Sequence, residues 1–205
     1  MKTWEKYSEY LLKGEWHIHT NYTDGKNSVY DYCQKAVEVG IPLVAFTEHV
    51  RKNLNYDFCS FLDDIDKVKE EFDLIILSGC EAKVLPNGDL DVNDEILKEI
   101  DYPIFAFHSF PADVDIYFNS LKNVLKNKYV NTWAHPGAFL EKKHLQIPDD
   151  QFVEILNSMS KRKILLEMNC KYDVPSPKWI DLAKISDICL VKGSDVHNIE
   201  SFCPL

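Results

Sequence analysis

EWHIHT, residues 15–20, sets two histidines two positions apart at the end of a short apolar, β-rich run. Side chains at i and i+2 of a strand point to the same face, their Cα atoms roughly 6.5–7 Å apart, so His17 and His19 can reach one cation. Working outward along the chain, the pattern returns in LVAFTEH (43–49), LIILSGCE (74–81), IFAFHS (104–109), VNTWAHPG (130–137), ILLEMN (164–169) and ICLVKGSDVH (188–197). Each run is apolar and ends in a residue that can do chemistry. Helical stretches fall between them: Ser28–Val39, Phe58–Phe72, Asp91–Ile100, Asp113–Lys126, Asp149–Met159 and Ser176–Ile185. Asp149 reads as a cap before DQFVEILNSM (150–159), and Pro175 and Pro177 mark the entry to the next helix.

Near-continuous apolar strands alternating with helices predict a parallel sheet covered by helices. Seven strands in 205 residues favour closure into a barrel of βα units over an open sheet. Active-site residues of such barrels come from the C-terminal strand ends, where the histidines of this chain lie. The sequence predicts one domain over 1–205. Within it, residues 1–13 form an N-terminal helix on the barrel, with Trp4, Tyr7, Leu11 and Leu12 on one side.

Hydrophobic residues make up 45% of the chain, enough for a sizeable core, and the formal net charge is -10. That charge is a poor match for nucleic acid or an anionic membrane, although bound divalent cations would reverse it locally. None of the six cysteines (33, 59, 80, 170, 189 and 203) pairs as C-x-x-C, which predicts reduced, mostly buried thiols. The segment MKTWEKYSEYLLKGE has no long apolar core and does not read as a signal peptide. No apolar run approaches the ~18 residues that cross a bilayer. The expected location is cytoplasmic.

Six of the seven histidines fall at strand ends: His17, His19, His49, His108, His135 and His197. His144 lies apart, in a polar EKKH stretch. Three carboxylates join the six: Asp24 in TNYTDG, Glu81 after Gly79, where a bulky residue would crowd the mouth, and Asp195, two before His197. Nine N/O donors exceed the capacity of one ion. Imidazole and carboxylate without thiolate suit Zn, Mn or Fe in a catalytic centre. Two or three such ions activate water and clamp the attacking and leaving oxygens of a displacement, the usual logic of phosphatases.

Taken in order, HIHT…DG, TEH, GCE, FAFH, AHPG and GSDVH resemble the PHP (polymerase and histidinol phosphatase) family over residues 15 to 197. The resemblance implies a distorted (β/α)7 TIM-like barrel with a di- or tri-metal phosphoesterase site. By motif, the first metal would take His17, His19, Glu81 and Asp195. The second would share Glu81 and add His108 and His135; the third would take Asp24, His49 and His197. Glu81, Asp195, His197 and His49 are the expected catalytic residues, the two histidines as candidate proton donors. Two departures stand out. Glu48 replaces the aspartate of the family's T-D-H and is set aside as a non-ligand. The chain also ends eight residues after His197, so closure by the N-terminal helix or a partner subunit is expected.

Arg51 and Lys83 are candidate phosphate contacts, with Lys171 and Ser109 behind them. Glu167, two before Asn169, is expected in a polar layer inside the barrel. The expected activity is hydrolysis of a small phosphomonoester, with no nucleic-acid or membrane partner. The competing readings are an amidohydrolase-type C–N hydrolase, a non-catalytic PHP-like module and a metal store.

Overall fold

A computed structural model describes residues 1–202; Cys203 lies outside the described residues. Seven strands follow one another around the sheet in chain order, every neighbouring pair parallel. They are β1 (Glu15–Ile18), β2 (Leu43–Val50), β3 (Ile75–Lys83), β4 (Tyr102–Ala106), β5 (Thr132–Trp133), β6 (Leu165–Asn169) and β7 (Leu190–Gly193). Outside and between them run α1 (Thr3–Lys6), α2 (Val29–Val39), α3 (Phe58–Glu71), α4 (Asp94–Glu99), α5 (Val114–Val124), α6 (Ala138–Lys142), α7 (Asp149–Arg162) and α8 (Pro177–Ile185). The expected distorted seven-unit barrel is the observed architecture. No helix among the described residues is long and apolar enough to cross a membrane.

The seam between β1 and β7 is closed by few bonds. His19 N–H donates to the Val196 carbonyl at 2.8 Å, and Val196 N–H donates to the His17 carbonyl at 3.0 Å. Beside them the buried Glu15 carboxylate accepts from the Ser194 backbone at 2.8 Å and its hydroxyl at 2.7 Å. At the opposite end Lys192 N–H donates to the Leu11 carbonyl at 2.8 Å, so the N-terminal segment fills the gap. Trp4 and Leu11 join the barrel's inner apolar cluster with Trp16, Leu43, Tyr102 and Leu165. Full burial of a large apolar side chain contributes roughly 1.5–3 kcal/mol, so this plug stabilises the lower barrel. Two details of the predicted helix differ. Its α-helical part is one turn, followed by a 3-10 turn at Ser8–Tyr10, and Leu12 is 50% exposed, because the change of helix type rotates it outward.

Strand alternation divides the interior into two storeys. Leu43, Ala45, Leu77, Ile104, Leu165 and Val191 form the apolar lower storey. The same parity carried upward brings in His49, Glu81, His108 and Glu167. The opposite face of the strands packs Phe46, Phe105, Trp133 and Leu166 beneath the helices in the outer core.

Helix ends follow capping chemistry. Ser28 and Asp31 form a capping box on α2, and Asp57, Asp113 and Ser176 cap α3, α5 and α8. Three boundaries need correction. Asp149 lies inside the first turn of α7, whose cap position is Pro148. That helix also runs to Arg162, because Lys163 takes the left-handed conformation that ends it. The α4 helix starts at Asp94 rather than Asp91: the chain first doubles back on β3, with Val84 bridged to Leu90, and Asp91 N–H donates to the Lys83 carbonyl. Among the described cysteines Cys33 and Cys80 are buried, but Cys59, Cys170 and Cys189 are exposed, against the expectation of mostly buried thiols.

Candidate metal centre

The upper storey brings all nine sequence-selected donors around one mouth. His17 Nε2 and His19 Nε2 lie 3.0 Å apart, and Asp195 Oδ1 is 3.7 and 3.2 Å from them. Glu81 stands between two groups of imidazoles. Its Oε2 is 2.9 Å from His49 Nδ1 and 3.6 Å from His19 Nε2, and its Oε1 is 2.7 Å from His135 Nε2 and 3.2 Å from His108 Nε2. A third group lies toward solvent, with Asp24 3.5 Å from His49 Nε2 and 3.2 Å from His197 Nε2. His144 is exposed and lines a separate cavity behind α6 that none of the nine donors touches.

These positions fit divalent cations. Ligand atoms each about 2.0–2.2 Å from one ion are themselves roughly 3–3.5 Å apart, the spacing seen here. His49 Nδ1 and His108 Nε2 approach Glu81 closely, yet both are buried without a hydrogen-bond partner among the described residues, as is His19 Nδ1. Unpartnered ring nitrogens beside a carboxylate are what a cation between them would satisfy once they are deprotonated.

Local backbone chemistry aims several donors. In β1 the register slips between Glu15 and Ile18, so Trp16 packs in the inner cluster while Ile18 packs in the outer core, and His17 and His19 still face the mouth. His135 follows Ala134 of the inner cluster and would point outward in a regular strand. Its φ of 31° turns it in, and its N–H donates to the Glu167 carboxylate. Asp195 also has a left-handed φ, 48°. Such conformations cost energy outside glycine and cluster where function over-determines the geometry.

Glu167, expected only as part of a polar layer, does more. Its Oε1 accepts from His17 Nδ1 at 2.6 Å, which points His17 Nε2 at the cluster. Asn169 Nδ2 donates to the same carboxylate at 3.1 Å. Gly193 makes the space: a Cβ there would lie 1.9 Å from Glu167 Oε1. Gly79 works differently from expectation. A Cβ there would meet the backbone carbonyls of Tyr102 and Phe46 at 2.7 and 2.9 Å, so the glycine relieves the neighbouring strands rather than the mouth.

Glu48, set aside from sequence, is fully buried and holds the loop that carries Asp24. Its Oε1 accepts from Thr20 N–H at 2.7 Å, and its Oε2 accepts from the Thr23 hydroxyl. Burial pushes its carboxyl up to about 7, against the pull of those bonds. Glu15 and Glu48 share a signal visible beforehand: a charged residue within a strand run, at its start for Glu15 and near its end for Glu48.

The cluster's charges suit ligation. Burial opposes ionisation of Glu81 and Asp195, but the surrounding histidines hold both carboxyls below the usual range. Burial, with positive neighbours His49 and His17, depresses His19 to about 3, so its imidazole stays neutral.

Lys171 reaches the mouth, with Nζ 2.8 Å from Asp195 Oδ2 and 3.3 Å from His197 Nδ1. Arg51 turns aside: its guanidinium donates to the Val50 carbonyl at 2.6 Å and lies 3.9 Å from Asp91. Lys83 ends β3, half-buried, on the strand face of Glu81. Two cavities flank the cluster. One, about 580 Å³, holds His108, Ser109, His135 and Tyr172; the other, about 470 Å³, holds Asp24, Lys171, Asp195 and His197.

A family model described as PHP domain matches residues 15–194. The chain is 30% identical over 206 residues to the DNA polymerase/3'-5' exonuclease PolX of Bacillus subtilis; the match covers 92% of this chain and 35% of that protein, so the chain spans about a third of that relative's length. It is 27% identical over 197 residues to a protein of Clostridium acetobutylicum named "probable phosphatase", covering 92% of this chain and 77% of the other. The fold is similar to that of histidinol phosphate phosphatase from Lactococcus lactis, solved with zinc, L-histidinol and phosphate. There the TM-score is 0.70 at 19% identity, with 92% of this chain and 88% of that chain covered.

Proposed function

The chain belongs to the PHP domain family, and from that premise we propose that it is a metal-dependent phosphatase hydrolysing a small phosphomonoester at the strand-end cluster. The observation that carries the reading is Glu81, whose two oxygens face different imidazole groups. A carboxylate can join two cations in this way, and its charge offsets their repulsion. A carboxylate here, rather than the bridging lysine of C–N-cleaving barrels, favours phosphoryl chemistry. The names of the Clostridium and Lactococcus proteins point the same way.

His17, His19 and Asp195 would hold a first ion with Glu81; His108 and His135 would hold a second with Glu81; Asp24, His49 and His197 would hold a third. Divalent ions, with Zn, Mn and Fe as candidates, supply acidified water and neutralise phosphoryl charge when bound. The protein's own residues do the rest. Glu81 and Asp195 set the negative charge of the cradle. Lys171, at its open side, exchanges its Asp195 contact for a phosphoryl oxygen, with Lys83 as a secondary contact. His197 and His49, 25% and 23% exposed, are the candidate proton donors to the leaving alcohol, through a ring nitrogen that no ion occupies. Histidinol phosphate is one candidate substrate among small phosphomonoesters.

The test is a screen of phosphate esters with protein reconstituted in Mn, Zn and Fe, together with elemental analysis. At least two metal equivalents per chain and release of phosphate are expected. Fewer than one equivalent would remove the cluster, and absence of phosphate release with every ester and metal would shift weight to amide hydrolysis.

A further inference from the structure

The larger flanking cavity is graded from one end to the other. His108 and His135 border it at the cluster. Its bed is aromatic: Phe107, Phe110 and Phe139 are each at most 9% exposed. Their rings are fixed against Tyr117, with centroids 4.1, 6.0 and 5.7 Å from it. Buried, interlocked rings make a preformed surface that a planar group can cover at little ordering cost. Tyr172 stands at the rim, 45% exposed, its ring edge-on to His135 at 5.4 Å. At the far end are Lys142 and Lys143. Lys142 lies four residues after Ala138 on α6, on the same face and about 6 Å further along the axis. Neither ammonium is paired with a carboxylate among the described residues.

We propose that this pocket receives the organic part of the substrate and selects a planar aromatic leaving group that carries a second anionic group. The assignment rests on the phosphatase reading for its phosphoryl end, and on the pocket alone for the rest. With phosphorus at the cluster, the ring covers Phe110 and Phe139 beneath Tyr172, and the distal anion meets Lys142 and Lys143. A distal cation meets the same two charges and is repelled. The overall charge of -10 makes this local excess of positive charge the feature that discriminates.

Three esters of one ring test it: phenyl phosphate, 4-(carboxymethyl)phenyl phosphate and 4-(aminomethyl)phenyl phosphate. The expected order of kcat/KM is carboxymethyl, then unsubstituted, then aminomethyl, with steps on the order of threefold to fivefold for partly exposed charges. Reversing both charges, Lys142→Glu with Lys143→Glu, should invert the order of the two charged esters. Equal rates for the charged pair, or a ratio unmoved by the double reversal, would overturn the proposal. If no ester turns over, the phosphatase reading fails, and calorimetry on the metal-loaded protein then decides the pocket by itself. Tighter binding of (4-hydroxyphenyl)acetate than of 4-(aminomethyl)phenol, lost on reversal, supports it; equal binding of the two sinks it.

Discussion

Glu167 Oε1 lies 2.6 Å from His17 Nδ1, across the barrel from β6 to β1, in a pair that is buried on both sides. This carboxylate fixes the ring and is not itself among the nine donors. Removing such a partner typically costs 10–100-fold in metal affinity. Glu167→Gln should weaken metal binding by about that factor while far-ultraviolet circular dichroism stays unchanged. A metal titration curve identical to that of the native protein would show that His17 needs no such support.

Glu81→Gln keeps the side chain's shape and removes its charge. Loss of one or more metal equivalents is expected, with a fall in kcat of at least ~100-fold, comparable to losing a key electrostatic group elsewhere. The fold should persist, because the lower storey is apolar and separate from the mouth. Normal metal content and rate in this variant would remove Glu81 from the bridging position.

His135 and His144 separate site from surface. His135 Nε2 is 2.7 Å from Glu81 Oε1, whereas His144 is exposed on another cavity. His135→Ala should lose metal and activity, and His144→Ala should change both by less than about twofold, as expected of a surface substitution. Elemental analysis and turnover on the two variants check this, and similar behaviour of the pair would contradict it.

Lys2 gives the barrel plug a pH signature. Its ammonium donates to the Val130 carbonyl at the foot of β5, and burial lowers it from 10.5 to about 8, with Glu5 opposing. Between those values the unfolded chain binds a proton that the folded chain has lost, so this group makes stability rise with pH through that window. The difference in unfolding free energy between the native protein and Lys2→Met should therefore shift in favour of the native protein from about pH 8 to pH 10. A difference independent of pH would mean that Lys2 keeps its ordinary affinity for the proton.

The strand runs, their order and the nine side chains that meet at the mouth were all legible in the chain, because each is a local pattern. An apolar run makes a buried parallel strand wherever it occurs, and barrel closure carries its last residue to the mouth. The same locality explains what was misjudged. Glu48 and Glu167 look like isolated charges until Thr20, Thr23 and His17 arrive from elements distant in sequence. Arg51 looks like a phosphate contact until the doubling back of 84–91 brings Asp91 beside it.

By itself, then, the sequence determined the architecture and singled out the nine donor side chains, through periodicity and residue chemistry. Tertiary structure alone decided which of their atoms face one another and what holds them there. The left-handed turn at His135, the slip in β1 and the space that Gly193 leaves for Glu167 are set by contacts between strands, and no pattern along one strand contains them. The aromatic bed with its two lysines is of the same kind, since Phe107 follows β4 while Phe139 and Lys142 lie on α6, and the two segments meet only when the barrel is closed.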